Sequence, residues 1–290
     1  MLDLTLTTEE FSLFRSLIYK LTGISLNDGK RTLVQSRLQK RLRLHGMASF
    51  SEYYQLVNGV GSGGEQTELI NCITTNKTDF FREAHHFDFV AEQIVPAIGQ
   101  QARLGRVAPR LRIWHAGCST GEEPYTLAMT LREAAEQQGG TWDIRQLASD
   151  IDTNVLARAE TGIYDEERIA PVPEACLRKY FLRGRDAQTG LYKVRPELRQ
   201  QIVFRQINLL EEEWPMRSDV RFDLIFCRNV VIYFDKPTQK RLFARFAQRL
   251  KPGGHLFIGH SESLHGISEE FKAVGRTIYQ LPAAEIIRAA

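Results

Sequence analysis

The chain has 290 residues, enough for one large domain or two modest ones, with 43% hydrophobic and 25% charged residues, as in ordinary globular proteins. The net charge of +3 does not demand a nucleic-acid partner, and no apolar run approaches the length of a membrane span. The amino terminus lacks the pattern of a secretion signal, and the four cysteines include no close pair. We therefore expect a cytoplasmic protein that is not embedded in a membrane, binds no nucleic acid and has neither a metal site nor a disulfide framework.

Residues 1–75 are predicted to form an all-α domain, because helical patterns follow one another and no strand pattern appears. Residues 7–10 (Thr-Thr-Glu-Glu) form a capping box that opens a helix ending near Gly23. A second helix is predicted over about 29–44. The glycine-rich residues 59–64 predict a flexible break before the last helix of this domain.

The second helix carries apolar residues on one face and basic residues on its other faces. The basic side chains are Lys30, Arg31, Arg37, Lys40, Arg41 and Arg43. Such a run is either a solvated face or a docking surface for an acidic partner. Because the helix lacks aromatic residues for base stacking, a protein is a better candidate partner than a nucleic acid.

Residues 76–108 are predicted to form a linker segment followed by a helix over about 85–98. Three polar side chains of the linker, Asn76, Thr78 and Arg82, are spaced so that they could line one side of an extended segment that turns into a helix. The linker therefore supplies candidate ligand-binding residues.

The alternating α/β region opens with a strand over 111–115, a turn between Gly117 and Gly121, and a helix that has Pro124 in its first turn. Proline costs little there, because the first N–H groups of a helix have no intrahelical partner. Such a turn places a ligand at the carboxyl end of a strand and the amino end of a helix.

Two carboxylates, Glu122 and Glu123, stand on the first residues of this helix. They would repel a pyrophosphate and suit a ligand with positive charge, and S-adenosylmethionine carries an ammonium and a sulfonium. Alternatively, both glutamates only stabilise the start of the helix.

The same turn also matches the nucleophile elbow of serine hydrolases, because 117–121 has the pattern G-x-S-x-G. Ser119 would then be the nucleophile, and His255 or His260 could complete the catalytic set. No HGGG-type oxyanion segment is present, and two carboxylates beside a developing oxyanion are unfavourable. An α/β serine hydrolase is therefore the alternative hypothesis.

Polar residues follow several predicted strands at the point where each strand ends. Asp150 ends the strand over about 144–149, and an acidic residue at this position binds ribose hydroxyls in nucleoside-binding sheets. Two later strands end in the pairs Asn208 with Leu209 and Arg228 with Asn229. Because the carboxyl ends of parallel strands meet at one edge of a sheet, we expect these residues to cluster there.

Residues 109–290 are predicted to form an α/β domain with a Rossmann-like, doubly wound sheet. The alternation is interrupted at about 165–201, where two short apolar runs flank a turn-rich loop and predict an inserted, small antiparallel β-subdomain. Strands over about 271–274 and 277–281 are predicted to close an antiparallel edge.

Six motifs of the chain resemble those of the CheR-type chemotaxis receptor methyltransferases. They cover residues 74–87, 119–125, 149–152, 226–235, 250–253 and 259–262. The motifs follow the family's order and are spread over nearly the entire chain. The resemblance implies an all-α domain at 1–75 that docks on the receptor, and an S-adenosylmethionine-dependent methyltransferase domain at 109–290 with the inserted β-subdomain.

The resemblance also implies the reaction, which is methyl transfer from S-adenosylmethionine to glutamate side chains on the cytoplasmic methylation helices of chemoreceptors. The products are glutamate methyl esters and S-adenosylhomocysteine, and the reaction serves chemotaxis adaptation. The implied cofactor contacts are Asn76, Thr78, Arg82, one of Glu122 and Glu123, Asp150, Asn208, Leu209, Arg228 and Asn229.

Arg82 and Tyr233 are expected near the transferring methyl group and are the catalytic candidates that the resemblance implies. The hairpin loop over 184–190 is similar in length to that of family members that bind a C-terminal receptor pentapeptide. Its Arg185-Asp186 pair departs from the glycine-containing loop expected of those members, so pentapeptide binding stays an open expectation.

Overall fold

A computed structural model describes residues 4–283, and its first part is a helical domain. The helices are α1 (Thr8–Thr22), α2 (Arg31–His45), α3 (Phe50–Asn58) and α4 (Gly63–Ile73). The predicted capping box opens α1, because Thr7 accepts the N–H of Glu10 and the Glu10 carboxylate accepts the N–H of Thr7. Four helices bury the apolar core of this domain, with Phe14 and Tyr53 fully enclosed.

The predicted break at 59–64 is wrong in its second half, because α4 already begins at Gly63. Tertiary contacts fix this start despite the low helix propensity of glycine. The Glu65 carboxylate accepts hydrogen bonds from Arg41 on α2 and from the Tyr53 hydroxyl on α3.

A continuous helical stretch follows the linker. It consists of α5 (His85–Phe89), a π-helical turn (Val90–Ile94) and α6 (Val95–Arg103), so the predicted helix exists and ends five residues later than expected. Within the linker, the buried Phe80 ring packs edge-on against Tyr164 and Phe181 and attaches the linker to the second domain.

The second domain is built on a seven-stranded sheet in the order β6-β2-β1-β7-β8-β10-β9. The strands are β1 (Arg110–Ala116), β2 (Asp143–Asp150), β6 (Ile202–Gln206), β7 (Phe222–Cys227), β8 (Leu250–Ile258), β9 (Lys272–Gly275) and β10 (Ile278–Gln280). The first five in this order are parallel, and β10 and β9 pair antiparallel at one edge. The predicted doubly wound α/β sheet and its antiparallel edge are confirmed.

Helices cover both faces of this sheet and complete the domain. They are α7 (Glu122–Gln138), α8 (Thr153–Thr161), α9 (Glu166–Ile169), α10 (Glu174–Tyr180), α11 (Pro196–Arg199) and α12 (Lys236–Arg249). On one face, Trp114 of β1 packs against Trp214 and Phe246, and Phe226 of β7 stacks on Phe257 within the core of the other face. Within residues 4–283, the structure contains no helix with both the length and the apolar character required to span a bilayer.

A small antiparallel sheet interrupts the alternation, as predicted. Its order is β3-β5-β4, formed by β3 (Ile163–Asp165), β5 (Leu191–Val194) and β4 (Phe181–Arg183). The predicted hairpin is the β4–β5 pair. The structure adds β3, a strand that precedes the predicted insertion and pairs with β5.

Candidate functional site

A cavity lies at the carboxyl edge of the large sheet, where the strand ends face the helical domain. Ten sequence-predicted residues line it: Asn76, Thr78, Arg82, Glu123, Asp150, Asn208, Leu209, Arg228, Asn229 and Tyr233. These residues come from the linker, from α7, from the last residue of β2 and from segments that follow β6 and β7. The fold therefore brings together the side chains that the sequence motifs single out, with Glu122 as the exception.

The turn after β1 forms the floor of the cavity. Gly117 has φ 104°, and a Cβ atom at this position would stand 2.4 Å from Cγ2 of Val230, so the turn requires glycine. The Ser119 N–H donates to the Asp150 carboxylate at 2.9 Å and ties the turn to the end of β2.

The Asp150 carboxylate is the acidic group that the fold places at the end of β2, buried and lining the cavity. Each oxygen accepts one backbone N–H, from Ser119 on one side and from Asp152 on the other. Burial raises the pKa of Asp150 to about 6, even though these N–H donors lower it. A carboxylate oxygen has room for a further donor, so the group can accept two hydroxyls of a ribose.

The two adjacent glutamates of α7 point in different directions. Glu122 accepts hydrogen bonds from the Thr120 hydroxyl at 2.7 Å and from Arg168 at 3.0 Å, on the side of the small sheet. Glu123 lines the cavity and bonds to His115 at 2.7 Å and Arg228 at 2.9 Å. Of the two candidates, Glu123 therefore lines the cavity, whereas Glu122 is bonded to Arg168 and Thr120 away from it.

A buried ion network continues from Glu123 through Arg228. Arg228 also lies 3.4 Å from the Glu83 carboxylate, which is hydrogen-bonded to His260 at 2.9 Å. Burial opposes ionisation of Glu83, but His260 and the charge of Arg228 prevail and hold its pKa at about 2. The network fixes the Arg228 side chain, which is 3% exposed, between two carboxylates.

The linker residues Asn76 and Arg82 are both held by hydrogen bonds within the site. The Asn76 side chain donates to Asp152 at 2.6 Å, and the main-chain carbonyl of Asn76 accepts the Ser119 hydroxyl at 2.9 Å. Arg82 donates to the carbonyl of Lys77 and keeps 26% of its side chain exposed in the cavity.

Tyr233 ends a 3-10 turn (Val231–Tyr233) that follows β7 and carries it into the cavity. Its carbonyl accepts the N–H of Ser25 at 2.8 Å, a hydrogen bond from the helical domain. A second bond between the domains joins the Tyr19 hydroxyl to Asp235 at 2.7 Å. Two hydrogen bonds thus attach the carboxyl end of the turn with Tyr233 to the helical domain.

One wall of the cavity comes from the helical domain, and the sequence motifs did not indicate it. Its residues are Thr22, Ile24, Ser25, Leu26, Lys30 and Leu33. The site residues Ile151 and Val230 were also missed, although they directly follow the predicted contact residues Asp150 and Asn229. An apolar side chain next to a predicted polar one at a strand end was the available signal for these two.

The basic residues of α2 do not all face solvent. Arg37 donates to the carbonyls of Ile73 and Thr74 and thereby caps the carboxyl end of α4. Arg41 forms ion pairs with Glu65 at 2.7 Å and Glu68 at 3.3 Å. These two arginines hold the helical domain together, so neither a solvated face nor a free docking surface describes the whole basic set.

The serine hydrolase alternative finds no support in this geometry. The Ser119 hydroxyl donates to the Asn76 carbonyl. His260 bonds to Glu83, and the ring of His255 packs against Phe89. Within residues 4–283, no hydrogen bond joins either histidine to Ser119.

Comparison with known proteins gives one consistent family. Residues 76–280 match the model described as CheR methyltransferase, SAM binding domain, and residues 9–74 match CheR methyltransferase, all-alpha domain. Chemotaxis protein methyltransferase 2 of Pseudomonas aeruginosa is 46% identical over 275 residues, which cover 94% of this chain and 93% of the relative. The chemotaxis protein methyltransferases of Klebsiella aerogenes and Escherichia coli are 44% and 42% identical over 278 residues, which cover 96% of this chain and 91% and 92% of those relatives.

Proposed function

Because the chain belongs to the CheR methyltransferase family, we propose that it methylates glutamate side chains on the cytoplasmic helices of chemoreceptors, with S-adenosylmethionine as methyl donor. The products are glutamate methyl esters and S-adenosylhomocysteine. The observation that carries the proposal is the cavity in which the predicted cofactor contacts meet the two catalytic candidates. The names of the relatives support a role in chemotaxis.

The residues of the cavity fit a nucleoside with a positively charged tail. Asp150 would accept the ribose hydroxyls, because its carboxylate retains acceptor capacity beside the two backbone N–H groups. Asn76, Thr78, Asn208, Leu209 and Asn229 supply further polar groups and apolar surface around it. Glu123, whose charge is partly offset by Arg228, would provide negative charge for the ammonium of the amino acid part. When bound, S-adenosylmethionine supplies an electrophilic methyl group on a sulfonium.

The acceptor needs no general base, because a glutamate carboxylate is already ionised at neutral pH. The protein's task is then to align the carboxylate oxygen with the methyl group and the leaving sulfur, which is a matter of proximity and orientation. Arg82 would hold a carboxylate through its guanidinium, and Tyr233 would pack or hydrogen-bond beside the methyl group.

A receptor methylation assay tests the proposal. Purified protein, radiolabelled S-adenosylmethionine and a chemoreceptor should give labelled receptor whose label is released by mild alkali, because methyl esters hydrolyse and methylamines do not. Isothermal titration should show binding of S-adenosylhomocysteine. A folded protein that binds no S-adenosylhomocysteine, or a label that resists alkali, would refute the reaction.

Two variants assign the chemistry within that assay. Arg82→Ala should reduce the rate by at least about a hundredfold, since it removes the group proposed to orient a carboxylate. Arg145→Ala is the matched control, because this exposed arginine stands near the amino end of β2, opposite the cavity. Tyr233→Phe separates a hydroxyl role from a packing role: an unchanged rate would exclude the hydroxyl.

The β-subdomain is the proposed tether for a receptor C-terminal pentapeptide. Its sheet has β3 and β4 as edge strands, and Leu182 on β4 is 42% exposed. An extended peptide can add to such an edge by main-chain hydrogen bonds. Calorimetry with an aromatic and acidic C-terminal peptide should show binding that Leu182→Lys weakens, and silence at high peptide concentration would contradict the tether.

A further inference from the structure

Glu262 is a buried carboxylate outside the set of predicted site residues. It is 7% exposed, and it accepts hydrogen bonds from three backbone N–H groups, those of Asn229, Ile232 and Gly259. Asn229 and Gly259 share one oxygen, and Ile232 lies 3.3 Å from the other. None of the ion pairs formed within residues 4–283 includes this carboxylate.

A buried carboxylate without a cation is costly, since desolvation disfavours the charged form by several kcal/mol. Burial raises the pKa of Glu262, and the backbone N–H donors lower it. Glu262 is nevertheless buried next to one short turn, so the hydrogen bonds that it forms there must account for its position. Asn229 and Gly259 lie beyond the ends of β7 and β8, and the 3-10 turn that contains Ile232 is only three residues long, so regular structure offers these N–H groups no partner.

The turn that is hydrogen-bonded to Glu262 contains two residues with proposed roles in the site. It begins at Asn229, a proposed cofactor contact held at φ 58°, and it ends at Tyr233, a proposed catalytic residue. We propose that Glu262 is a positioning residue for methyl transfer, which fixes the turn from Asn229 to Tyr233 against the cavity. This inference rests on the proposed function, because it takes the roles of those two residues from it.

Gly259 packs closely against Asn229 at the start of the same turn and offers a second position at which the turn can be perturbed. A Cβ atom at this position would stand 2.3 Å from the side-chain nitrogen of Asn229 and 2.7 Å from its backbone nitrogen. The Glu262 N–H also donates to the Gly259 carbonyl. Residues 259–262 thus form a loop whose backbone packs against Asn229. The side chain of its last residue, Glu262, accepts hydrogen bonds from the turn.

The test compares Glu262→Gln with the wild-type protein. The variant keeps the size of the side chain, and its amide oxygen can still accept from Asn229 and Gly259. Its NH2 group would then face the N–H of Ile232, so one hydrogen bond becomes a contact between two donors. We expect kcat for receptor methylation to fall by about ten- to a hundredfold and the Kd for S-adenosylhomocysteine to rise severalfold, because Tyr233 and Asn229 shift.

Binding stoichiometry distinguishes positioning from partial unfolding. Calorimetric titration of Glu262→Gln with S-adenosylhomocysteine should keep one site per chain at a weaker Kd, whereas a partly unfolded sample would lose sites and keep its Kd. Gly259→Ala should give the same pattern through direct pressure on Asn229. Glu269→Gln, at an exposed position of the following segment, is the control.

Three outcomes are separable. If the wild-type protein binds no S-adenosylhomocysteine, the proposed function fails. If it binds and methylates, but Glu262→Gln equals it in kcat per bound site and in Kd, the positioning role is overturned. Loss in Gly259→Ala alone would also overturn it, because the turn would then depend on close packing and not on the carboxylate.

Discussion

Asp150, a proposed cofactor contact, shows how burial can make binding sensitive to pH. Its pKa of about 6 in the free protein arises from burial. Ribose hydroxyls donate to the ionised carboxylate, so the cofactor would bind the ionised form and lower this pKa further. The sign follows from linkage, because protonation of Asp150 opposes binding. The affinity for the cofactor is therefore highest above the pKa of Asp150 in the free protein, and it falls as the pH drops below that value.

We therefore expect S-adenosylhomocysteine to bind about tenfold more weakly near pH 5 than near pH 7.5. Calorimetry in buffers of different ionisation enthalpy should also detect proton release on binding near pH 6. Asp150→Asn is the matched variant, which should bind weakly at neutral pH and lose the dependence. The same slope in wild type and Asp150→Asn would assign the titration to another group.

The sequence predicted which residues line the cavity better than it predicted where individual side chains point. Asp150, Asn208, Arg228 and Asn229 could be found because parallel strands present their carboxyl ends at one edge, and the structure places all four on the cavity. The choice at the start of α7 could not be made from sequence, because adjacent helical residues point about 100° apart and only packing decides which one faces inward. Glu122 is hydrogen-bonded to Arg168 and Thr120, whereas Glu123 is hydrogen-bonded to Arg228 at the cavity.

Among the elements, α2 has a structural role and is also the proposed docking element for a receptor helix. Arg37 and Arg41 reach across to α4, and their contacts depend on how the helices pack, which periodicity alone does not reveal. Leu33 lines the cavity, and Lys40 and Leu44 follow it after seven and eleven residues on nearly the same side of the helix. This stripe is exposed at Lys40 and Leu44, and we propose that it is the part of α2 that meets an acidic receptor helix.

Charge reversal at Lys40 tests this stripe. Lys40→Glu should raise the apparent KM for a chemoreceptor by about tenfold, because glutamates of the methylation helix would meet a like charge, while affinity for S-adenosylhomocysteine stays unchanged. Arg43→Glu is the matched control, since this exposed arginine lies about 60° from Lys40 and about 100° from Leu44 around the helix. The effect on KM should weaken at high salt. Equal effects of both variants would contradict a localised docking stripe.

For the whole molecule, the sequence predicted two structural classes and could not predict how they meet. The helical domain and the α/β sheet each follow from local patterns, and both are present. The wall from Thr22 to Leu33 and the hydrogen bond from Ser25 to Tyr233 arise only from docking of one domain on the other. Contacts of this kind join residues some 200 positions apart, so no periodicity within either segment records them.

Asp152 lies at this junction and serves both domains. One carboxylate oxygen accepts hydrogen bonds from the Thr74 hydroxyl and the Asn76 amide, both at 2.6 Å, and the other caps the start of α8. Asp152→Ala should therefore have two effects. Loss of the cap should lower the free energy of unfolding by about 1 kcal/mol or more, and release of Asn76 should weaken S-adenosylhomocysteine binding by about tenfold.

Asp165→Ala separates these effects, because Asp165 caps α9 through the N–H of Arg168 and has no contact with the linker among its hydrogen bonds in residues 4–283. It should lower the melting temperature and leave the Kd for S-adenosylhomocysteine within about twofold of wild type. Thermal melts with and without ligand, together with calorimetry, measure both quantities. If Asp152→Ala lost stability but bound S-adenosylhomocysteine as well as Asp165→Ala does, the cavity would not depend on this junction, and the linker would hold Asn76 in place without it.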